Sequence, residues 1–262
     1  MKSKDILFFG LFIIISSMLL LIIYLDEPKK EHVIITAHTD YIYAYEKETH
    51  MKMILYVNDQ HSPYLAYDHY ERVLLKNKQD TFLMDVELDS VSINHQESYL
   101  NDHYIQVVLF LVMPILEEDL IIEDMHLEII LSNGQKTNLP MGRLSILYLN
   151  TSSTPRIDWT SLYGFKDEHR LIPRIKTVHI AYERLDYVIK SITIGQIESI
   201  YFEQHSDKLI VQIPYEDALL YAFPIEITYD DDYTDVIFNF LYMQNYAYLK
   251  ESGPLLYVTT IN

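Results

Sequence analysis

No cysteine occurs anywhere in the sequence. That excludes thiol catalysis, thiolate metal sites, disulfide staples and a lipid anchor carried on cysteine. Glycine is scarce, with six in 262 residues, so collagen-like, glycine-loop and repeat-propeller designs are excluded too. No phosphate-cradling or dinucleotide glycine motif is present. The serine elbow G-x-S-x-G and a serine followed three positions on by lysine are both missing, which removes two common hydrolase signatures. No H-E-x-x-H string occurs; the nearest stretch, Asp167-Glu168-His169-Arg170, has the wrong order for a zinc helix. Basic residues are outnumbered, 20 against 38 acidic, for a net charge of −18. Such a surface repels nucleic acid, whose phosphates need the opposite sign. No cofactor is expected.

What is present starts with one long apolar run. Ile6 to Leu25 holds no charged residue. As a helix rising about 1.5 Å per residue it reaches roughly 30 Å, the thickness of a bilayer's hydrocarbon core. A cleaved signal has a shorter apolar core and small residues at its end, whereas this run ends Ile23-Tyr24-Leu25-Asp26-Glu27-Pro28. The run therefore predicts a retained signal anchor, in contact with membrane lipid through residues 6–25. Lys2, Lys4 and the α-amine precede it, while Lys29 and Lys30 follow it among acidic residues. That bias orients the N-terminus inside and the bulk of the chain outside. An ectodomain of this size without cysteine points to the cell envelope of a bacterium with a single membrane.

The remainder is patterned for strands. Twenty-three tyrosines accompany frequent Ile, Val and Thr, the residues that suit a half-buried pleated surface. Met84, Val86 and Leu88 alternate with Asp85, Glu87 and Asp89, as in a strand with one wet face. Ile105 to Met113 is apolar but for Gln106 and too short to span a membrane, so it reads as a buried central strand. Asn133-Gly134 between two apolar segments marks a hairpin. The string from Leu127 to Leu147 around it resembles hairpins of Ig-like bacterial surface domains, a likeness from which no residue's role follows. Asp158 to Arg170, with the only tryptophan, reads as a short helix or packed loop, and Tyr215 to Tyr221 as a short helix.

The expected fold class is mainly β: a single N-terminal transmembrane helix followed by a β-rich ectodomain of two β-sandwich-like (Ig-like) domains, antiparallel in style. The boundaries are 1–5 for a cytoplasmic tip, 6–25 for the anchor, 26–31 for a juxtamembrane linker and 32–149 for a first domain. A polar, proline-ended linker follows at 150–155, then a second domain at 156–262.

Candidates for function are sparse. Asp230, Asp231, Asp232 and Asp235 form the densest carboxylate cluster; oxygen ligands suit calcium, but the bend glycine and distal glutamate of a calcium loop are missing. Tyr41, Tyr43 and Tyr45, with Tyr242, Tyr246 and Tyr248, could make an aromatic face for a glycan or a protein; core filling is the competing role. The reading that follows is a membrane-anchored, extracytoplasmic binding protein, non-catalytic, meeting another envelope or membrane protein. The alternatives are an anchored envelope hydrolase using carboxylates and a cation-dependent adhesive module. A concave cleft of convergent carboxylates would favour the enzyme, and a flat aromatic strand face the binder.

Overall fold

The computed structural model describes residues 16–18, 31–47, 49–149, 155–166, 175–185, 187–195, 197, 198, 200–213, 219–241, 249 and 255–261. Of the expected span, only Ser16, Ser17 and Met18 fall among them, and these are helical. Among the described residues no helix is long and apolar enough to cross a membrane. The rest is mainly β, in several sheets.

The first half runs β1 (His32–Ala37), β2 (Thr39–Ala44), β3 (His50–Val57), β4 (Tyr70–Asn77), β5 (Leu83–Val86), β6 (Leu88–Tyr99), β7 (Asp102–Val112), β8 (Leu120–Leu131) and β9 (Lys136–Leu147). The second half runs β10 (Asp158–Lys166), β11 (Ile175–Arg184), β12 (Ile189–Ile194), β13 (Phe202–Gln204), β14 (Lys208–Gln212), β15 (Leu219–Tyr229), β16 (Thr234–Leu241) and β17 (Leu256–Ile261).

Two sheets enclose the first core. One has the order β17-β1-β3-β7-β6, and the other contains β2-β9-β8-β4-β5. Consecutive strands change sheet twice: β1 passes to β2 through His38 within the sheets, and β5 passes to β6 through Glu87 at the edge of each. Continuous chain at the β5–β6 corner is one way to limit exposed strand edges. The expected alternation holds across the second corner. Met84, Val86 and Leu88 pack on the core, while Asp85, Glu87 and Asp89 are exposed. Ile105–Met113 is buried over most of its length between β3 and β6, as its apolar run predicts. The Asn133-Gly134 hairpin forms as expected, with Gly134 at φ +85° and its N–H donated to the Leu131 carbonyl at 2.8 Å.

The second core lies between β10-β11-β14-β13 and the strands grouped on β15. Ile180, Leu209, Val211, Ile192, Ile225 and Ile227 fill it, all fully buried. Ile42 of β2 and Leu147 of β9 belong to this core, whereas Leu249 belongs to the first. Strand β2 links the two, pairing with β9 on one edge and β15 on the other. Both of those pairings are parallel, a departure from the antiparallel style expected. Long stretches of chain separate these partners, which is the condition parallel pairing requires. Residues 33–262 form one compact unit.

Close backbone approach at this junction depends on Gly142. Its φ is +118°, and a Cβ there would stand 2.4 Å from the Thr39 carbonyl oxygen and 2.6 Å from the Thr39 nitrogen. Only glycine fits.

Two local expectations need correcting. Asp158–Lys166 is a strand, not a helix or loop: Trp159, Ser161, Tyr163 and Phe165 recur at the period of two that a strand uses. Leu219–Tyr221, read as the end of a short helix, open β15 instead, and residues 214–218 lie outside the described residues.

Candidate binding face

The outward face of the second core's four-stranded sheet can be built position by position from its register. Ser161 of β10 stands opposite Ala181 of β11, which stands opposite Lys208 of β14. The next row is Tyr163, His179 and Ile210, and the third is Phe165, Thr177 and Gln212. Partners across an antiparallel pair share a face, and the residues between them point the other way. Leu162, Ile180 and Leu209 accordingly fill the core beneath.

Three aromatic side chains of β10 stand in water: Trp159 and Phe165 at 46% and Tyr163 at 43% of their full exposure. Tyr163 and Phe165 meet edge to face, with centroids 5.4 Å apart and planes at 69°. His179 sits beside both, 4.2 Å from the Phe165 centroid and 5.6 Å from that of Tyr163. Burial holds the His179 imidazole below its ordinary range, and the charges of Lys208 and His205 push the same way. At neutral pH it is an uncharged ring among rings. None of the nine positions is a carboxylate, in a chain that carries 38. Carboxylates border them: Glu183 is exposed two residues after Ala181 on β11, and Glu203 on β13 stands opposite Ile210, 3.5 Å from His205.

The tyrosines singled out from the sequence lie elsewhere. Tyr41 and Tyr43 are buried in the first core at 1% and 3% exposure. The Tyr43 hydroxyl bonds the Lys52 backbone, accepting from its N–H at 3.0 Å and donating to its carbonyl at 3.2 Å. Tyr45 is half-buried and stacks on Tyr148 at 5.4 Å. Tyr242, Tyr246 and Tyr248 lie outside the described residues.

The aspartate cluster occupies the turn between β15 and β16, and its members point at different partners. Asp231 pairs with Arg156 at 2.5 Å and Asp232 with Lys190. Asp235 is buried and accepts three hydrogen bonds: from the Tyr229 hydroxyl at 2.7 Å, the Arg156 N–H at 2.8 Å and the Ile157 N–H at 3.1 Å. The Arg156 guanidinium also lies over Tyr233 and Tyr187, 3.9 Å and 4.4 Å from their centroids. This constellation ties the start of β10 to the β15–β16 hairpin. Among the described residues no group of three or more His, Asp or Glu side chains is placed to hold a metal ion.

A cleft of about 300 Å³ opens where β4 faces the β5–β6 corner. Asp68, Glu71, Asp85 and Glu87 line it together with Tyr67 and Tyr70. Arg72 reaches Asp85 with both Nε and Nη2, at 2.8 Å and 2.7 Å. All four carboxylates are exposed. A carboxyl working as a general acid needs shielding from water to keep its proton. The described carboxyl held above its ordinary range by burial is instead Glu226, with a smaller push from Asp119. It lies on β15, away from the residues lining the cleft.

No protein-family model matches the chain, and no curated protein matches it. Among solved structures, it is similar to Bacteroides ovatus SGBP-B from a mixed-linkage glucan utilization locus, in complex with a mixed-linkage heptasaccharide. That similarity has 12% identity and a TM-score of 0.20, covering 78% of this chain and 42% of that one. The chain thus spans less than half the length of that protein. It is also similar to the fibronectin(III)-like modules of Clostridium thermocellum CbhA, at 11% identity and a TM-score of 0.20, covering 79% of this chain and 93% of that one.

Proposed function

We propose that the chain is a membrane-tethered, non-catalytic binding protein of a bacterial cell envelope. Residues 6–25 are its anchor, the N-terminus is inside, and the β-rich remainder stands outside. The tether rests on the length and apolarity of Ile6–Leu25 and on the lysines before it. One observation carries the binding role: the outward face of β10-β11-β14 keeps Tyr163 and Phe165 exposed beside His179, on positions free of carboxylates. Aromatic side chains left in water at such cost are enriched where proteins bind.

The acid-lined cleft supports a second reading, an anchored carboxylate hydrolase. Four carboxylates lining one cleft favour it, and their exposure to water weighs against it.

Photo-crosslinking tests the first reading. A photoreactive residue replaces Tyr163 in the full chain, in intact cells, with a matched probe at exposed Leu83 on β5. A specific adduct from position 163 and none from position 83 is the expected result. Equal labelling from both positions, or adducts from 83 alone, would remove the outward face as the binding surface.

A further inference from the structure

We infer that the outward face of β10-β11-β14 binds an uncharged oligosaccharide, one sugar ring seated against Phe165 and Tyr163 and its hydroxyls held by the polar positions around them. The inference rests on the reading of that face as the binding surface.

Area argues first. Three residues along β10 and three strands across span roughly 14 Å by 10 Å at strand spacings. A stable protein interface buries about 800 Å² on each side, several times that patch. A short oligosaccharide is of the patch's own size.

Charge argues second. The chain's net charge of −18 repels an anionic polymer before it arrives. Beside the rings stands the Lys208 ammonium, which discourages a cationic peptide. An uncharged ligand meets neither barrier.

Chemistry argues third. Planes at 69° make a corner rather than a flat table, one ring as floor and the other as wall. A pyranose offers an apolar C–H face to such a ring and hydroxyls at its rim. Ser161, Thr177 and Gln212 both donate and accept, which hydroxyls require of their partners.

The chain's only tryptophan, Trp159, reports on this strand without labelling. The full chain is held in a detergent whose headgroup contains no sugar. Cellohexaose, chitohexaose, maltohexaose and mannohexaose are titrated separately, following Trp159 emission and the His179 ring signals in NMR. At least one sugar is expected to shift either signal saturably. Phe165→Thr should then weaken it about tenfold, the worth of one aromatic contact. Lys208→Gln should change it less than about twofold, because the ligand is uncharged. Tyr163→Thr serves as a second ring variant where Phe165→Thr fails to fold. No response to any of the four sugars overturns the inference, as does binding that Lys208→Gln abolishes. If crosslinks from position 163 persist in that case, the binding surface stands and only the ligand class falls; if they vanish too, both readings fall.

Discussion

Phe165 and His179 stand on neighbouring strands with ring centroids 4.2 Å apart, one half in water and the other held neutral by its surroundings. The imidazole's folded pKa is lowered from the ordinary 6.5, first by burial and then by Lys208 and His205; Tyr163 is its neighbour on β10. The neutral form is therefore favoured by folding. Its contribution to stability is complete above pH 6.5 and is lost as pH falls below 6.5 through the lower folded value. An NMR titration of the full chain should place the His179 midpoint below 6.5. In His179→Gln, the melting temperature should fall less steeply with acid over that window. A midpoint at or above 6.5 contradicts the burial assigned to this ring.

Asp235 should be a keystone of the second core. It receives the Tyr229 hydroxyl and the Ile157 N–H, both shielded from water, and the half-buried Arg156 N–H. Burial, reinforced by the Asp235 carboxylate, raises the Tyr229 phenol, so it remains a donor over any ordinary pH. Asp235→Ala strands three donors, two of them buried at about 1–3 kcal/mol each, and a total loss of about 2 kcal/mol or more is expected. Chemical denaturation measures it. A loss below about 1 kcal/mol would show that water reaches these donors.

Two glycines should respond differently to alanine. Gly142→Ala drives a Cβ into the Thr39 backbone at a positive φ, and a cost of at least about 2 kcal/mol is expected. Gly134 also has a positive φ, but a Cβ there meets nothing within 4 Å. Gly134→Ala should cost about 1 kcal/mol, the conformational penalty alone. Equal costs at the two sites, read from thermal unfolding, would mean that β2 and β9 part readily at Gly142.

Glu226 gives a pH dependence of opposite sign to the usual carboxylate. Burial, then Asp119, raises its folded pKa above the ordinary 4.5. The unfolded chain releases this proton more readily, so stability falls as pH rises from 4.5 through the raised value. Glu226→Gln should raise the melting temperature at neutral pH, and the gain should vanish below pH 4.5. A gain that persists in acid would trace to packing instead of charge.

Periodicity made much of the fold legible. The alternation of Met84, Val86 and Leu88, the apolar run of β7 and the Asn133-Gly134 turn each became what local chemistry dictates. The parallel seating of β2 between β9 and β15 was not legible, because its partners lie about a hundred and almost two hundred residues away and nothing local encodes them. Tyr41 and Tyr43 have the spacing of an exposed aromatic stripe, yet they fill the core. A tyrosine strand reads the same whether it faces water or a second sheet. The exposed stripe of β10 carried a real signal, with aromatic rings at Trp159, Tyr163 and Phe165 on alternate positions broken only by Ser161, but a lone tryptophan and the surrounding polar residues made it read as a short helix or packed loop. Its companions His179, Lys208 and Gln212 could be assembled only once the register was known.

The central claim is that the rings on β10 are kept in water for a ligand and not for the fold. Tyr163→Thr combined with Phe165→Thr separates the two roles, since threonine suits a strand as well as an aromatic does. The account expects a melting temperature within a few degrees of the parent, about 1 kcal/mol or less in stability, together with loss of crosslinking from a photoreactive residue at exposed Trp159. Unfolding of the double variant, or full crosslinking from a well-folded one, would contradict it.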